Sequence, residues 1–406
     1  MNVKRFVFVC ATILTFAMAG PATADVTIHC LAVGQADATL IVSSSGQTLL
    51  FDGGNNGAGN GIIVPYLTSL GITTLDYMAA SHYHADHCGG LDEVYDAVGV
   101  TEAVYDRGWS YTTITYGDYA AAVAPKRQIA TDGMVIDLGD NVTVTVVALN
   151  GNGQMSSPYD SSSKENEYCL ALLVECEDFA FFAAGDLTGG GGSYSDIETS
   201  VGPEVGDIEI YRVNHHGSYS SSNASFLADL TPEVSIISVP DSSPYGHPHQ
   251  DVLNRLAALD SYIYQTAQGS SATYPADMRT IVNGHVIITS DGVGEYYVNG
   301  TMWETDEGST ATPVLATLQV YGNHPNPFNP STVIRFELPD GGPVNLAIHD
   351  LAGRVVRAVD WNATAGAQGW RWNGRDESGR ELSSGVYLYR IVTRDGTGSG
   401  RMTLAR

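Results

Sequence analysis

The sequence predicts a mixed α and β unit of enzyme size followed by a small all-β sandwich. Three observations carry this. Short β-branched strands alternate with Gly and Asn turns and helical patterns through most of the chain; beyond Pro313 the pattern becomes pure period-two alternation; and the charge changes between the two parts. The 406 residues suffice for two or three domains, with 19 Lys plus Arg against 45 Asp plus Glu. Residues 25–312 hold seven bases and 37 acids, a net of −30, whereas residues 313–406 hold ten arginines and eight acids, a net of +2. This excludes a protein that grips nucleic acid or anionic membrane by bulk charge.

The N-terminus has Lys4-Arg5, an apolar stretch from Phe6 to Ala19, and Ala22-Thr23-Ala24 before Asp25. A basic start, an apolar middle too short to span a bilayer and an A-x-A end predict a secretory signal peptide over 1–24, hence a secreted or surface-attached product. Cys30, Cys88, Cys169 and Cys176 remain in the mature chain. An oxidising compartment permits disulfides, but their pairing is open, and buried free thiols are an equal expectation.

Strands are expected at Val26 to Val33, Ala38 to Val42, Thr48 to Phe51, Tyr77 to Ala80, Asn141 to Ala148, Tyr168 to Val174, Phe179 to Ala184, Ile208 to Val213 and Val234 to Val239. Helices are expected at Ile62 to Leu70, Leu91 to Val98, Ala224 to Leu230 and Val252 to Leu259, the last with Pro248 in its first turn. Gly151 to Lys164 and Gly189 to Gly192 read as loops beside an open site. The domain limits are 25–303, a polar linker 304–316, and 317–406.

In the last part, Ile334, Phe336 and Leu338 face one way and Val333, Arg335 and Glu337 the other, as in a half-buried strand. His324-Pro325-Asn326-Pro327-Phe328-Asn329-Pro330-Ser331-Thr332, Asp350-Leu351-Ala352-Gly353-Arg354, Ser384-Gly385-Val386-Tyr387 and the basic end at Arg401 to Arg406 resemble the FlgD-like immunoglobulin-type domain. That resemblance implies an immunoglobulin-like sandwich serving type IX secretion sorting, with the secretion machinery or cell surface as partner.

Chemistry concentrates in His82-Tyr83-His84-Ala85-Asp86-His87, which follows an apolar strand. Clustered imidazoles and a carboxylate suit a divalent metal that takes N and O donors. A loop leaving a strand splays its side chains in two directions, so His82 and His84 can serve one ion and Asp86 and His87 a second. Asp186, His215 and His216 stand at other strand ends and complete a donor set too large for one ion.

With Val33-Gly34-Gln35-Ala36-Asp37-Ala38, Phe51-Asp52-Gly53-Gly54, Asn166-x-x-Cys169, Ala184-Gly185-Asp186, His215-His216-Gly217-Ser218 and Tyr245-Gly246-His247-Pro248-His249, the region 25–298 is similar to the metallo-β-lactamase superfamily, and within it to the hydrolase domain of ComEC competence proteins. The resemblance implies an αββα sandwich with two divalent ions, Zn or Mn, at the edge between its sheets. It implies that His82 and His84 bind the first ion, that Asp86 and His87 bind the second, and that Asp186 bridges them. His215 is expected as the last ligand with His216 facing substrate, although which of the adjacent pair points inward stays open. Asp52 is expected to brace the ligand loop, and Ser218, His216, His247 and Asn166 to meet substrate. No histidine lies between His87 and His215, so the first ion is expected to be short of a ligand unless Asn166 or water supplies one.

The expected activity is a secreted phosphodiesterase with Asp86, His216 and His247 in catalytic roles. His216 or His247 would bind phosphoryl oxygens, and one of them would protonate the leaving alkoxide. The net of −30 favours a small or zwitterionic phosphodiester over a long polyanion unless salt screens the repulsion, and no tight non-specific nucleic-acid binding is expected at low salt. A β-lactam, lactone or thioester hydrolase is the alternative within the fold, and an inactive surface-attached binding protein the alternative outside enzymes.

Overall fold

In the computed structural model of the chain, residues 25–405 are described except 154–161, 306–317, 325, 339–340, 351–353, 365 and 395. The expected signal segment and nearly all of the expected linker lie outside the described residues.

Residues 25–305 build two mixed sheets. The first has nine strands, in the order Thr301–Glu304, Glu295–Val298, Val286–Ser290, Val26–Cys30, Thr39–Ser43, Thr48–Phe51, Leu75–Ala79, Val100–Asp106 and Arg127–Ile129. The second has eight, in the order Arg279–Ile281, Tyr262–Gln265, Val234–Ile237, Ile210–Arg212, Phe179–Ala183, Ala171–Cys176, Val142–Ala148 and Val135–Asp137. Each sheet is antiparallel in one half and parallel in the other, the parallel halves being Thr48 to Ile129 and the strands from Phe179 to Ile281. Carboxyl ends of parallel strands leave together at one edge, where loops can converge on a ligand.

The layering follows from strands that are apolar on both faces. Leu172 and Val174 point into the core between the sheets, together with Ile28, Phe51, Val144 and Phe181, while Ala171 and Leu173 point to the outer face. On that outer face they pack with Phe226, Val252, Leu253 and Leu256, from helices Ala224–Leu230 and Gln250–Ala257. The outer face of the first sheet is covered by Ile63, Leu67, Leu91, Val94 and Tyr119 from helical segments between 59 and 123. Two buried faces per sheet demand continuous Val, Leu, Ile and Phe runs, as the sequence has. The result is the expected αββα order of layers.

Differences from the expectations have local causes. The helix expected at Ile62 to Leu70 is α-helical over Val64–Ser69 and preceded by a wider turn at Gly59–Ile63. The helix expected from Val252 begins at Gln250 with His249 as its N-cap, so Pro248 precedes the helix and is not in its first turn. Helices Ile114–Val123 and Glu198–Val205 were not expected: the first is Ala-rich with little periodicity, and the second contains Pro203. Cys30, Cys88, Cys169 and Cys176 are free and buried.

The last part forms a three-stranded sheet, Gln319–His324, Thr332–Leu338 and Gly366–Trp372, and a four-stranded sheet, Val355–Ala363, Gly342–His349, Gly385–Thr393 and Gly396–Leu404. Ile334, Phe336, Leu346, Ile348, Tyr389, Ile391 and Trp372 share its core, a cluster distinct from those of residues 25–305. A fragment spanning 25–305 is therefore expected to unfold cooperatively by itself in urea, because its three apolar clusters close without the sandwich. A broad, non-cooperative transition would show that the last part completes its core.

Candidate metal centre

The ligand loop is set at the end of strand Leu75–Ala79, and its shape is enforced from behind. Asp52, held at φ 63°, accepts from Ser81 N at 2.7 Å and from Ser81 Oγ at 2.8 Å. His87 Nδ1 lies 2.8 Å from the same carboxylate, and His82 Nδ1 lies 3.0 Å from Ser81 Oγ. With Nδ1–H donating in each ring, both histidines turn an Nε2 lone pair toward Asp186, the tautomer a metal needs. Gly185 must lack a side chain, because a Cβ there would collide with Ser81 Oγ. Between His82 and His84 the backbone is clamped by Glu165, which accepts from Tyr83 N at 2.9 Å and pairs with Arg107 at 2.7 Å.

Two groups of donors meet at Asp186. One comprises Asp86, His87, Asp186 and His216, the other His82, His84 and Asp186. In the first, His87 Nε2 is 3.1 Å from Asp186 Oδ1 and 3.9 Å from Asp86 Oδ2, while His216 Nε2 is 3.5 Å from Asp86 Oδ2 and 3.7 Å from Asp186 Oδ1. Ligands at metal bonds of about 2.0–2.1 Å in a tetrahedron stand about 3.3 Å apart, so this cage is close to size. In the second, His82 Nε2 and His84 Nδ1 are 3.1 Å apart, and His82 Nε2 is 3.9 Å from Asp186 Oδ2.

The chemistry of the set fits a cation. His87 Nε2, His216 Nε2, Asp186 Oδ1 and Asn166 Oδ1 are buried without hydrogen-bond partners. Leaving four such atoms unpaired in a dry site is costly unless a metal takes their lone pairs. In the metal-free site the surrounding carboxylates draw positive charge onto the imidazoles, the charge a bound cation would supply in its place. Burial opposes charge on His216, but the carboxylates of Asp37 and Asp86 outweigh it and push its pKa up to about 10. His87 is likewise carried well above its usual value against burial, by Asp186, Asp52 and Asp86. Burial works against Asp186 too, yet the imidazoles of His215, His87 and His216 hold it well below the usual carboxylate range.

The structure brings together all the expected ligands except one. His216, not His215, closes the four-residue group. Both adopt left-handed backbone, φ 53° each, in a tight turn over Asn214–Gly217, so the up-and-down alternation of a strand does not govern them. His215 instead lies beside the other oxygen of Asp186, with Nε2 at 3.4 Å from Oδ2 and Nδ1 at 3.2 Å from Ser220 Oγ. Asn166 reaches the same place, its Nδ2 donating to Asp186 Oδ2 at 3.2 Å beside the donor-poor group. Ser218 does not line the cleft; its hydroxyl is buried against Ser220 at 3.0 Å.

Above the donors opens a cleft of about 430 Å³, with His84, Asp86, Asp186 and His216 among its lining and Gln35, Asn166, Tyr194, His215, Tyr245 and His247 around them. Burial, and then the imidazoles of His215 and His216, push the pKa of His247 down to about 3. Several supporting residues were not singled out from the sequence. Asp37 stands 3.5 Å from His216 Nδ1 and pairs with Arg212 at 2.7 Å, although it lies in the quoted Val33 to Ala38 motif. Glu198 is another: buried, with a pKa pushed up to about 7, it accepts from Asn214 Nδ2, Ser222 N and Asn223 N on both sides of the histidine turn. No local signal marks it.

Residues 31–160 match the metallo-beta-lactamase superfamily and residues 328–397 the FlgD Ig-like domain. The chain carries a metallo-beta-lactamase domain followed by a FlgD Ig-like domain. Recombination protein 2 of Haemophilus influenzae is 27% identical over 277 residues, 66% of this chain and 31% of that protein. ComE operon protein 3 of Bacillus subtilis is 24% identical over 216 residues, 53% of this chain and 26% of that one. The chain therefore spans about a third or less of the length of these relatives. Among solved structures, Zn(2+)-bound PqqB from Methylobacterium extorquens aligns at 10% identity and a TM-score of 0.38, covering 58% of this chain and 97% of that one.

Asp52→Ala is expected to weaken zinc binding by about 10- to 100-fold, since it removes the carboxylate that orients His87 and holds Ser81. Calorimetric titration of the metal-free chain reads this. Unchanged affinity would show that the loop is held by packing alone.

Proposed function

We propose that this chain is a secreted, metal-dependent phosphodiesterase whose two donor groups each hold a divalent ion, zinc or manganese. The observation that carries the reading is Asp186, whose two oxygens face different donor groups at the floor of an open cleft. Two divalent ions there would supply Lewis-acid activation of water near neutral pH and neutralise charge on a phosphoryl group.

The chain's own residues do the rest. Asp186 would hold ions of both donor groups and offset their repulsion, and Asp86, with its side chain 28% exposed, faces the cleft where a nucleophile would approach. His215 and His247 stand on the rim, where phosphoryl oxygens would arrive, and Tyr194 and Tyr245 flank them with flat faces. His216 is engaged in the donor group, so its expected role toward substrate passes to His215 and His247.

One relative is named a recombination protein, which makes a nucleic-acid phosphodiester one natural substrate to test. Charge limits how such a substrate can bind. Four of the seven bases in residues 25–312 are spent internally, Arg107 on Glu165, Arg127 on Asp106, Lys164 on Glu167 and Arg212 on Asp37. A small phosphodiester, or a strand presented in salt that screens the acids, suits this surface better than a long duplex at low salt. The FlgD Ig-like domain, on this reading, serves export or surface docking and takes no part in catalysis.

With zinc or manganese, the protein is expected to hydrolyse bis-p-nitrophenyl phosphate. Chelation abolishes the activity, added metal restores it, and Asp186→Asn lowers kcat/KM by at least about 10³-fold. Hydrolysis of a β-lactam without turnover of the diester would move the reading to the alternative within the fold, and no turnover of either would favour a binding protein.

A further inference from the structure

The rim residue His247 is held from behind by a closed set of hydrogen bonds that decides which ring nitrogen carries its proton. Ser243 Oγ lies 3.0 Å from His247 N and 3.3 Å from Tyr245 N. Backbone N–H groups only donate, so both lone pairs of the hydroxyl are engaged and its own proton must go elsewhere. It is donated to Gln35 Oε1 at 2.7 Å. The reverse orientation of the Gln35 amide would aim a third donor at the same hydroxyl and leave the serine proton without an acceptor.

With its amide oxygen so placed, Gln35 presents Nε2 to His247 Nδ1 at 3.1 Å. An amide nitrogen donates and does not accept, so Nδ1 must be the acceptor. A neutral imidazole has one N–H, and here it is Nε2–H. Among the described residues no hydrogen bond to Nε2 of His247 occurs, and the ring lines the cleft, so this donor is left for a ligand.

We propose that Gln35 is a positioning residue that locks His247 as a neutral Nε2–H donor, so that His247 hydrogen-bonds a substrate phosphoryl oxygen and does not protonate the leaving group. This rests on the phosphodiesterase reading of the cleft, and of the two roles expected for His216 or His247, binding phosphoryl oxygens and protonating the leaving alkoxide, it gives His247 the first. Proton balance gives the reason. Releasing the Nε2 proton while Nδ1 accepts from an amide would leave an imidazolate. Protonating Nδ1 first would set two N–H donors face to face. Neither is accessible near neutral pH, so the leaving oxygen departs as an anion and takes its proton from water. Diesters with acidic leaving groups are then the favoured substrates.

The test begins with the ¹⁵N spectra of histidine-labelled full-length protein at neutral pH, metal-free and with zinc, His247 being assigned by its loss in His247→Gln. The proposal expects an unprotonated Nδ1 and a protonated Nε2. In Gln35→Glu, a carboxylate that accepts from both Ser243 and the ring should draw a proton onto Nδ1. A protonated Nδ1 in the wild type overturns the proposal whether or not any phosphodiester is turned over, which separates its failure from failure of the phosphodiesterase reading. On aryl phosphodiesters of graded leaving-group pKa, kcat/KM should fall steeply as that pKa rises. His247→Ala should lose about 10²-fold, and His247→Gln, which donates but does not titrate, should recover at least about tenfold of that loss. A flat leaving-group dependence, or no recovery in His247→Gln, would show a proton donor and overturn the assignment.

Discussion

One buried carboxylate, shared between two sets of imidazoles, is the constraint on which this structure turns. Asp186 sits where ionised groups are hard to keep, 2% exposed, and it is retained because one of its oxygens faces His87 and His216 and the other faces His82 and His215. Taking so many polar atoms out of water carries a desolvation cost that only a cation at their centre offsets fully. The fold delivers Asp186 from the end of Phe179–Ala183, the His82 to His87 loop from the end of Leu75–Ala79, and His216 from beyond Ile210–Arg212. Three strand ends in two sheets thus meet at one edge, and the αββα layering is what brings them there.

Around this point lies a shell that holds the ligands still. Asp52 and Asp37 stand behind His87 and His216 in the same relation, each carboxylate next to an Nδ1. Asp37 is in turn held by Arg212, and the loop backbone by the Glu165–Arg107 pair. Scarce bases are thereby committed inside the domain. The surface left over is strongly acidic, which ties the architecture of the site to the kind of substrate that can reach it.

Much of this was legible in the sequence, and where it was not the reason is physical. Continuous apolar runs such as Leu172 to Val174 are local signals of strands buried on both faces, and His82 to His87 is a dense local signal of metal chemistry. The choice between His215 and His216 was not legible, because it depends on two successive left-handed residues. The strands from Tyr262 to Glu304 escaped because each is only three to five residues long, and Val286–Ser290 also pairs with the distant Val26–Cys30. Gln35 and His247 are 212 residues apart, and only the folded chain reveals that one orients the other. The candidate donors were therefore readable as types at strand ends, and Asp52 as their brace, whereas the other residues that orient them, Asp37, Glu198 and Gln35, were not.

The central claim is that Asp186 serves two ions at once. Titration of the metal-free full-length chain with zinc, with bound metal counted by elemental analysis after removal of free ions, tests it most directly. Two ions per chain at saturation are expected, the one at His82 and His84 being released first on dialysis because fewer donors surround it. A single ion at saturation would contradict the claim and leave Asp186 as a ligand of one metal.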